Sequence, residues 1–246
     1  MTQIKTYTQS YIDFVQESAM LHFLSIYFEK SHHPDSENLK QNILDEGREK
    51  NFSDHFILKF LEESDSEELF KSDTYELILN QMIYSRLSDN FLNYLKSILA
   101  EIIIKQPKIL SSKDIVRIEE VLKFKSIEDF IENFTEKKIE SLFYGNISSI
   151  QKFFKDRLGI ELFTNKEAKE IEQLIKQRNL IVHNRGIINE DFRKKYKEFR
   201  GKEGILSFSK QKIFNINLFI SELILKIDIQ LKRKYHLNEL PLLHSQ

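Results

Sequence analysis

Six glycines and three prolines are all the helix breakers in this 246-residue chain. These two residue types interrupt helices most strongly, so long unbroken helical segments are open to it. Leu, Ile, Lys and Glu are abundant. Apolar residues recur at helical spacing: Phe91, Leu92, Leu95, Ile98, Leu99 and Ile102 form an i, i+3/i+4, i+7 stripe. The expected fold is all-α, a helical bundle.

Capping signals place the helices. The spacing predicts helices over residues 11–30, over 37–61 as either one helix or two divided at Gly47, and over 66–87 and 88–105, the last stopped at Gln106-Pro107. Ser111 or Ser112 is expected to cap a short helix through Phe124. Ser126-x-x-Asp129 opens a helix to about Tyr144, and residues 148–158 form another, stopped by Gly159. Thr164-x-x-Glu167 has the form of a capping box and opens a helix to about His183, ended by Asn184-Arg185-Gly186, where Gly or Asn suits a left-handed position. Asn189 caps a further turn, and residues 210–234 form the final long helix. Residues 62–68 carry five carboxylates and no base, which suits a solvated linker. The expected organisation is an N-terminal helical extension, residues 1–65, a main helical domain, 66–236, and a frayed tail, 237–246.

Composition narrows the function classes. At 41% hydrophobic and 30% charged, the chain can bury a core. A formal net charge of −1 excludes a uniformly basic nucleic-acid binder and leaves room for a local basic surface. With no cysteine there is no disulfide, zinc-thiolate site or thiol nucleophile, and a cytoplasmic protein is expected. Residues 1–10 lack the apolar core of a signal peptide. The most apolar run, residues 213–231, is interrupted by Glu222, Lys226 and Asp228, so a buried helix is expected there and no membrane partner. His32-His33 lies in a proline-broken loop without ligand spacing around it, and no Gly-rich phosphate loop occurs. Neither a metal nor a cofactor is expected.

One stretch combines chemistry-bearing residues at a helix end: Arg178-Asn179-Leu180-Ile181-Val182-His183, then Asn184-Arg185-Gly186. The Arg–His spacing carries little by itself. Nine Arg and seven His give about a quarter of one such pair at any fixed spacing by chance, and Arg48 with His55 makes a similar pair. Position adds weight. Asn179 and His183 are i, i+4 and share a helix face. Arg178 and His183 are i, i+5, about 140° apart on a straight helix. One phosphate is then reached by both only if the last turn unwinds, if the long arginine reaches round, or if two copies face each other across a two-fold axis.

Two readings fit these residues. In one, His183 and Arg185 favour the negative end of the helix dipole and Arg178 is solvated. In the other, they cleave RNA without metal. A ribose 2′-OH attacks the adjacent phosphate, a near-neutral histidine moves the proton, and arginine stabilises the growing charge on the non-bridging oxygens. Asn179 orients the imidazole, ribose or phosphate.

At these residues the chain resembles the HEPN superfamily of all-helical domains, many of them ribonucleases, whose motif is Arg, a polar residue, then His after four to six intervening positions. Arg178-Asn179-x-x-x-His183 is similar to its Arg-Asn-x-x-x-His form, and Asn184-Arg185-Gly186-Ile187-Ile188-Asn189 looks like the turn that follows it in bacterial members. The resemblance spans about residues 66–235; residues 1–65 match nothing in it. It implies a helical core, usually dimeric with two motifs facing each other, catalysis by Arg178 and His183 with support from Asn179, and roles in bacterial defence or toxin–antitoxin systems with an antitoxin or defence-complex partner. Some members are non-catalytic RNA-binding or adaptor modules, which is the alternative expectation. Residues 185–212 hold nine bases and four acids. Arg185, Arg193, Lys194 and Lys195 are the expected contacts to an RNA backbone, and the interspersed aromatics either stack bases or anchor the loop.

Overall fold

The computed structural model describes residues 6–30, 36–50, 56–63, 73–110, 116–199, 204–238 and 240–241. The fold is all-α, as the breaker count and periodicity indicate. The helices are α1 (Gln9–Lys30), α2 (Ser36–Glu49), α3 (Phe56–Glu63), α4 (Asp73–Lys105), α5 (Ile118–Val121), α6 (Ile127–Tyr144), α7 (Ile147–Phe153), α8 (Asn165–Asn184), α9 (Glu190–Lys195) and α10 (Lys210–Tyr235). A π turn, Phe154–Leu158, prolongs α7. A two-residue ladder pairs β1 (Thr6–Tyr7) antiparallel with β2 (Leu240–Pro241), Thr6 opposite Pro241.

Helix α4 is the axis of the bundle. Its 33 residues span about 50 Å, and α1, α6, α8 and α10 all pack on it. Of the predicted stripe, Phe91, Leu95, Ile98, Leu99 and Ile102 are fully buried and Leu92 is half-buried against the same core. The sequence reading divided this stretch at residues 87 and 88, and the structure corrects that to one helix. No Gly or Pro lies at the junction, and the Ser88 hydroxyl donates to the Tyr84 carbonyl at 3.1 Å, so the serine is satisfied without a break. The predicted start at residue 66 lies outside the described residues, as does the boundary near Asp65.

Helix α1 runs antiparallel to α4. Asn90 donates to the Phe14 carbonyl and to Ser18, each at 3.1 Å, and Glu17 pairs with Arg86. Phe14 belongs to the same hydrophobic cluster as Phe91 and Leu95. Gly47 does not break α2. It is where α3 comes close, since a Cβ there would stand 2.3 Å from the Leu58 side chain.

The predicted caps are present. Ser126 accepts from the Asp129 amide at 3.1 Å, and Asn189 accepts from Phe192 at 2.9 Å. Thr164 and Glu167 form both halves of the capping box, at 3.3 and 2.6 Å. The expected helix through Phe124 is corrected: within described residues 116–124 only Ile118–Val121 is helical, and Leu122 to Phe124 lie in the turn that follows; Ser111 and Ser112 lie outside the described residues. In the C-terminal segment Leu237 is buried and residues 240–241 form β2.

Two inward carboxyl groups fasten the start of α1. Thr8 caps the helix, accepting from the Tyr11 amide at 3.1 Å, while its hydroxyl donates to Asp228 of α10. Asp228 is fully buried; Tyr94 donates to the same oxygen at 3.4 Å, and the other oxygen has no hydrogen-bond partner among the described residues. Glu101 of α4 accepts from the Ser10 amide at 3.1 Å and from its hydroxyl. Burial pushes both carboxyls above their usual range. The bonds from Thr8 and the Lys232 charge oppose it at Asp228, and those from Ser10 oppose it at Glu101, where the nearby Asp228 and Asp13 charges add to it. A carboxyl raised on folding binds more protons folded than unfolded. Its contribution is therefore full below the ordinary carboxylate range and is lost as pH rises through the folded value. Asp228→Asn together with Glu101→Gln is expected to flatten this part of the dependence of unfolding free energy on pH, measured by denaturant titration. The wild-type slope surviving in the double variant would contradict it.

Candidate active site

Helix α8 is regular from its capping box to Asn184. The chain then turns through two left-handed residues, Arg185 at φ 52° and Gly186 at φ 75°. The expectation that Gly or Asn takes the left-handed position holds only for Gly186. Asn184 stays helical because its side-chain amide is used on the Ile187 carbonyl, at 2.8 Å, and the strained conformation falls on Arg185. The Arg185 and Gly186 amides both turn back to the Leu180 carbonyl.

Gly186 is required by space as well as conformation, since a Cβ would meet the Gln81 amide nitrogen at 2.4 Å. Its carbonyl accepts from Leu206 at 2.8 Å, Ile188 donates to Gly204 at 3.0 Å, and Ile187 bridges Ile205. Helix α4 holds this returning strand. Gln81 donates to the Leu206 carbonyl at 2.7 Å and Asn80 to the Phe208 carbonyl at 3.0 Å, while the Tyr84 ring stacks on Phe208 at 3.9 Å. The Tyr84 hydroxyl donates to buried Gln177, the residue before Arg178. The motif turn is thus pinned to α4 on both sides.

Arg178 points toward α4. Its Nε lies 2.9 Å from an Asp89 carboxylate oxygen, with the two side chains 25% and 29% exposed. Its Nη1 donates to Asn179 Oδ1 at 3.2 Å. His183 is exposed and makes no hydrogen bond or ion pair among the described residues. Because α8 does not unwind, Arg178 and His183 keep the 140° separation of a regular helix, to about that value. One chain therefore brings Arg178 and Asn179 together and leaves His183 apart. Asp89 is the participant that the sequence reading missed. It lies 89 residues away on another helix, and nothing in the local pattern around either residue announces the pair.

The flanking bases are largely engaged. Arg193 donates to the Ile188 carbonyl at 3.2 Å, Lys194 pairs with Glu190 at 2.7 Å, and Lys195 pairs with Glu172 at 2.5 Å. Arg185 is exposed at the turn. Phe192 and Phe208 are buried in the core cluster, and Phe192 packs on Tyr196 and Phe199. These rings anchor the loop. Arg200 and Lys202 lie outside the described residues, as do His32, His33 and His55; Arg48 is paired with Asp45 and Glu62.

Among the described residues no cluster of three or more His, Asp or Glu side chains is arranged to hold a metal ion, and no helix is long and apolar enough to cross a membrane. No known protein family, curated protein or solved structure matches the chain.

Proposed function

We propose that this chain is a metal-independent endoribonuclease of the HEPN type. The observation that carries the reading is the state of the motif: a guanidinium held by Asp89 and Asn179, followed on the same helix by an exposed histidine with no partner among the described residues. His183 takes the proton from the ribose 2′-OH and returns one to the leaving 5′ oxygen. Arg178 stabilises the charge that grows on the phosphate. The products are a 2′,3′-cyclic phosphate and a 5′-OH. The angular separation of Arg178 and His183 supports a homodimer in which two copies complete the site. Arg185 guides the RNA backbone into it, joined by Arg193, Lys194 and Lys195 once these exchange their present partners for phosphates. The setting is cytoplasmic, in bacterial defence or as the toxin of a pair restrained by an antitoxin.

A second reading has an observation of its own. The Asp89 pair uses Arg178 in the way a structural ion pair would, which suits a non-catalytic RNA-binding or interaction module of a defence complex. Expression of wild type and His183→Ala in a bacterial host separates the two. The nuclease reading expects wild type alone to arrest growth and degrade total RNA; intact RNA in both strains favours the module.

A further inference from the structure

Asp89 grips Arg178 by one bond where two were available. A guanidinium can offer a carboxylate two parallel N–H groups. Here the Asp89 carboxylate accepts only from Nε, at 2.9 Å, and Nη1 donates to Asn179 Oδ1 at 3.2 Å. Among the described residues no hydrogen bond engages Nη2. Arg178 is 25% exposed, so solvent reaches it. With Nε turned to Asp89, the Nη1–Nη2 edge is the one left to meet a ligand.

Both ends of this contact are fixed from behind. Ser88 and Asn90, on either side of Asp89, are buried and bonded: Ser88 to the Tyr84 carbonyl, Asn90 to the Phe14 carbonyl and to Ser18. On α8 the residue before Arg178, buried Gln177, accepts from the Tyr84 hydroxyl. That bond already joins α4 to α8 at this level. What Asp89 adds lies at the tip of the arginine. A free arginine side chain gives up much rotamer freedom when it grips a phosphate, and the bond to Nε removes part of that freedom beforehand.

The sign of the charge bears on the role. A carboxylate beside the guanidinium weakens its attraction for a polyanion. A site that only gathered RNA would do better without Asp89. A site that must aim one donor edge at a growing charge gains from it, because a preorganised donor needs no rearrangement as the reaction proceeds.

We infer that Asp89 is a positioning residue for the proposed cleavage. It holds Nε so that the Nη1–Nη2 edge of Arg178 faces the non-bridging oxygens of the scissile phosphate. This rests on the nuclease reading.

The test measures steady-state cleavage of a single-stranded RNA by the wild-type chain, Asp89→Ala and Asp89→Asn, with thermal melts run beside it. Asp89→Ala is expected to lower kcat about 10²-fold with KM unchanged or lower, the loss that a displacement of about 1 Å causes. Asparagine keeps an acceptor oxygen for Nε without the charge, so Asp89→Asn should recover at least about tenfold of that loss. A readout that needs neither turnover nor a folded variant is the Arg178 Nε–H resonance of the wild-type chain. It is expected to exchange with water at least about tenfold more slowly than that of exposed Arg185. Wild-type kcat in a folded Asp89→Ala, a loss appearing only in KM, no recovery in Asp89→Asn, or equal exchange at Arg178 and Arg185 each overturns the inference while the nuclease reading stands. A wild-type chain that cuts no RNA overturns that reading and this inference with it.

Discussion

Replacing His183 by alanine is expected to abolish RNA cleavage and leave the bundle intact. The side chain is exposed and has no partner among the described residues, so its loss should change stability by no more than about 0.5 kcal/mol. Removing a general acid–base group costs about 10²–10⁴ in rate. Arg178→Ala is expected to be as inactive, with a different stability signature. It strands the Asp89 carboxylate, which is about 29% exposed, and a lost hydrogen bond to a charged group costs about 1.5–3 kcal/mol. Purified variants, assayed on single-stranded RNA alongside thermal melts, separate the two effects. Cleavage at the wild-type rate by His183→Ala would sink the proposed chemistry.

Phe14→Ala is expected to destabilise the whole bundle by about 3–5 kcal/mol, the usual cost of truncating a buried phenylalanine. Phe14 is 1% exposed and lies in one cluster with residues of α4, α8 and α10. The Asn90 bonds to the Phe14 carbonyl and to Ser18 fix α1 against α4 at the same level. A cavity there weakens the common core, so α1 and α4 should unfold in one transition at a lower denaturant midpoint. Segment-resolved hydrogen exchange checks this. Loss of protection confined to residues 9–30 would mean that α1 is a detachable extension.

Local chemistry explains what the sequence disclosed. The caps at Ser126, Thr164 and Asn189 were readable because each joins a side chain to an amide three residues on, and the whole device lies within four letters of sequence. The buried stripe of α4 was readable because burial and helix period coincide. Distance along the chain hid the rest. Asp89, Tyr84, Gln81 and Asn80 act on residues 89 to 128 positions away, and as letters they are ordinary polar members of a long helix. The false division at residues 87 and 88 has no Gly or Pro behind it, and the Ser88 hydroxyl turns back to its own helix. The basic loop after the motif promised more free charge than it has, because Glu172, which neutralises Lys195, lies a full helix earlier.

The central claim is a 2′-OH attack organised by Arg178 and His183, and a single substrate addresses it directly. A DNA oligonucleotide carrying one ribonucleotide is incubated with the full chain in EDTA, and the product ends are read by mass spectrometry. The account predicts one cut, 3′ to the ribose, leaving a 2′,3′-cyclic phosphate and a 5′-OH, with none in His183→Ala. Cutting at deoxyribose linkages, a requirement for added metal, or 3′-OH and 5′-phosphate ends would contradict it.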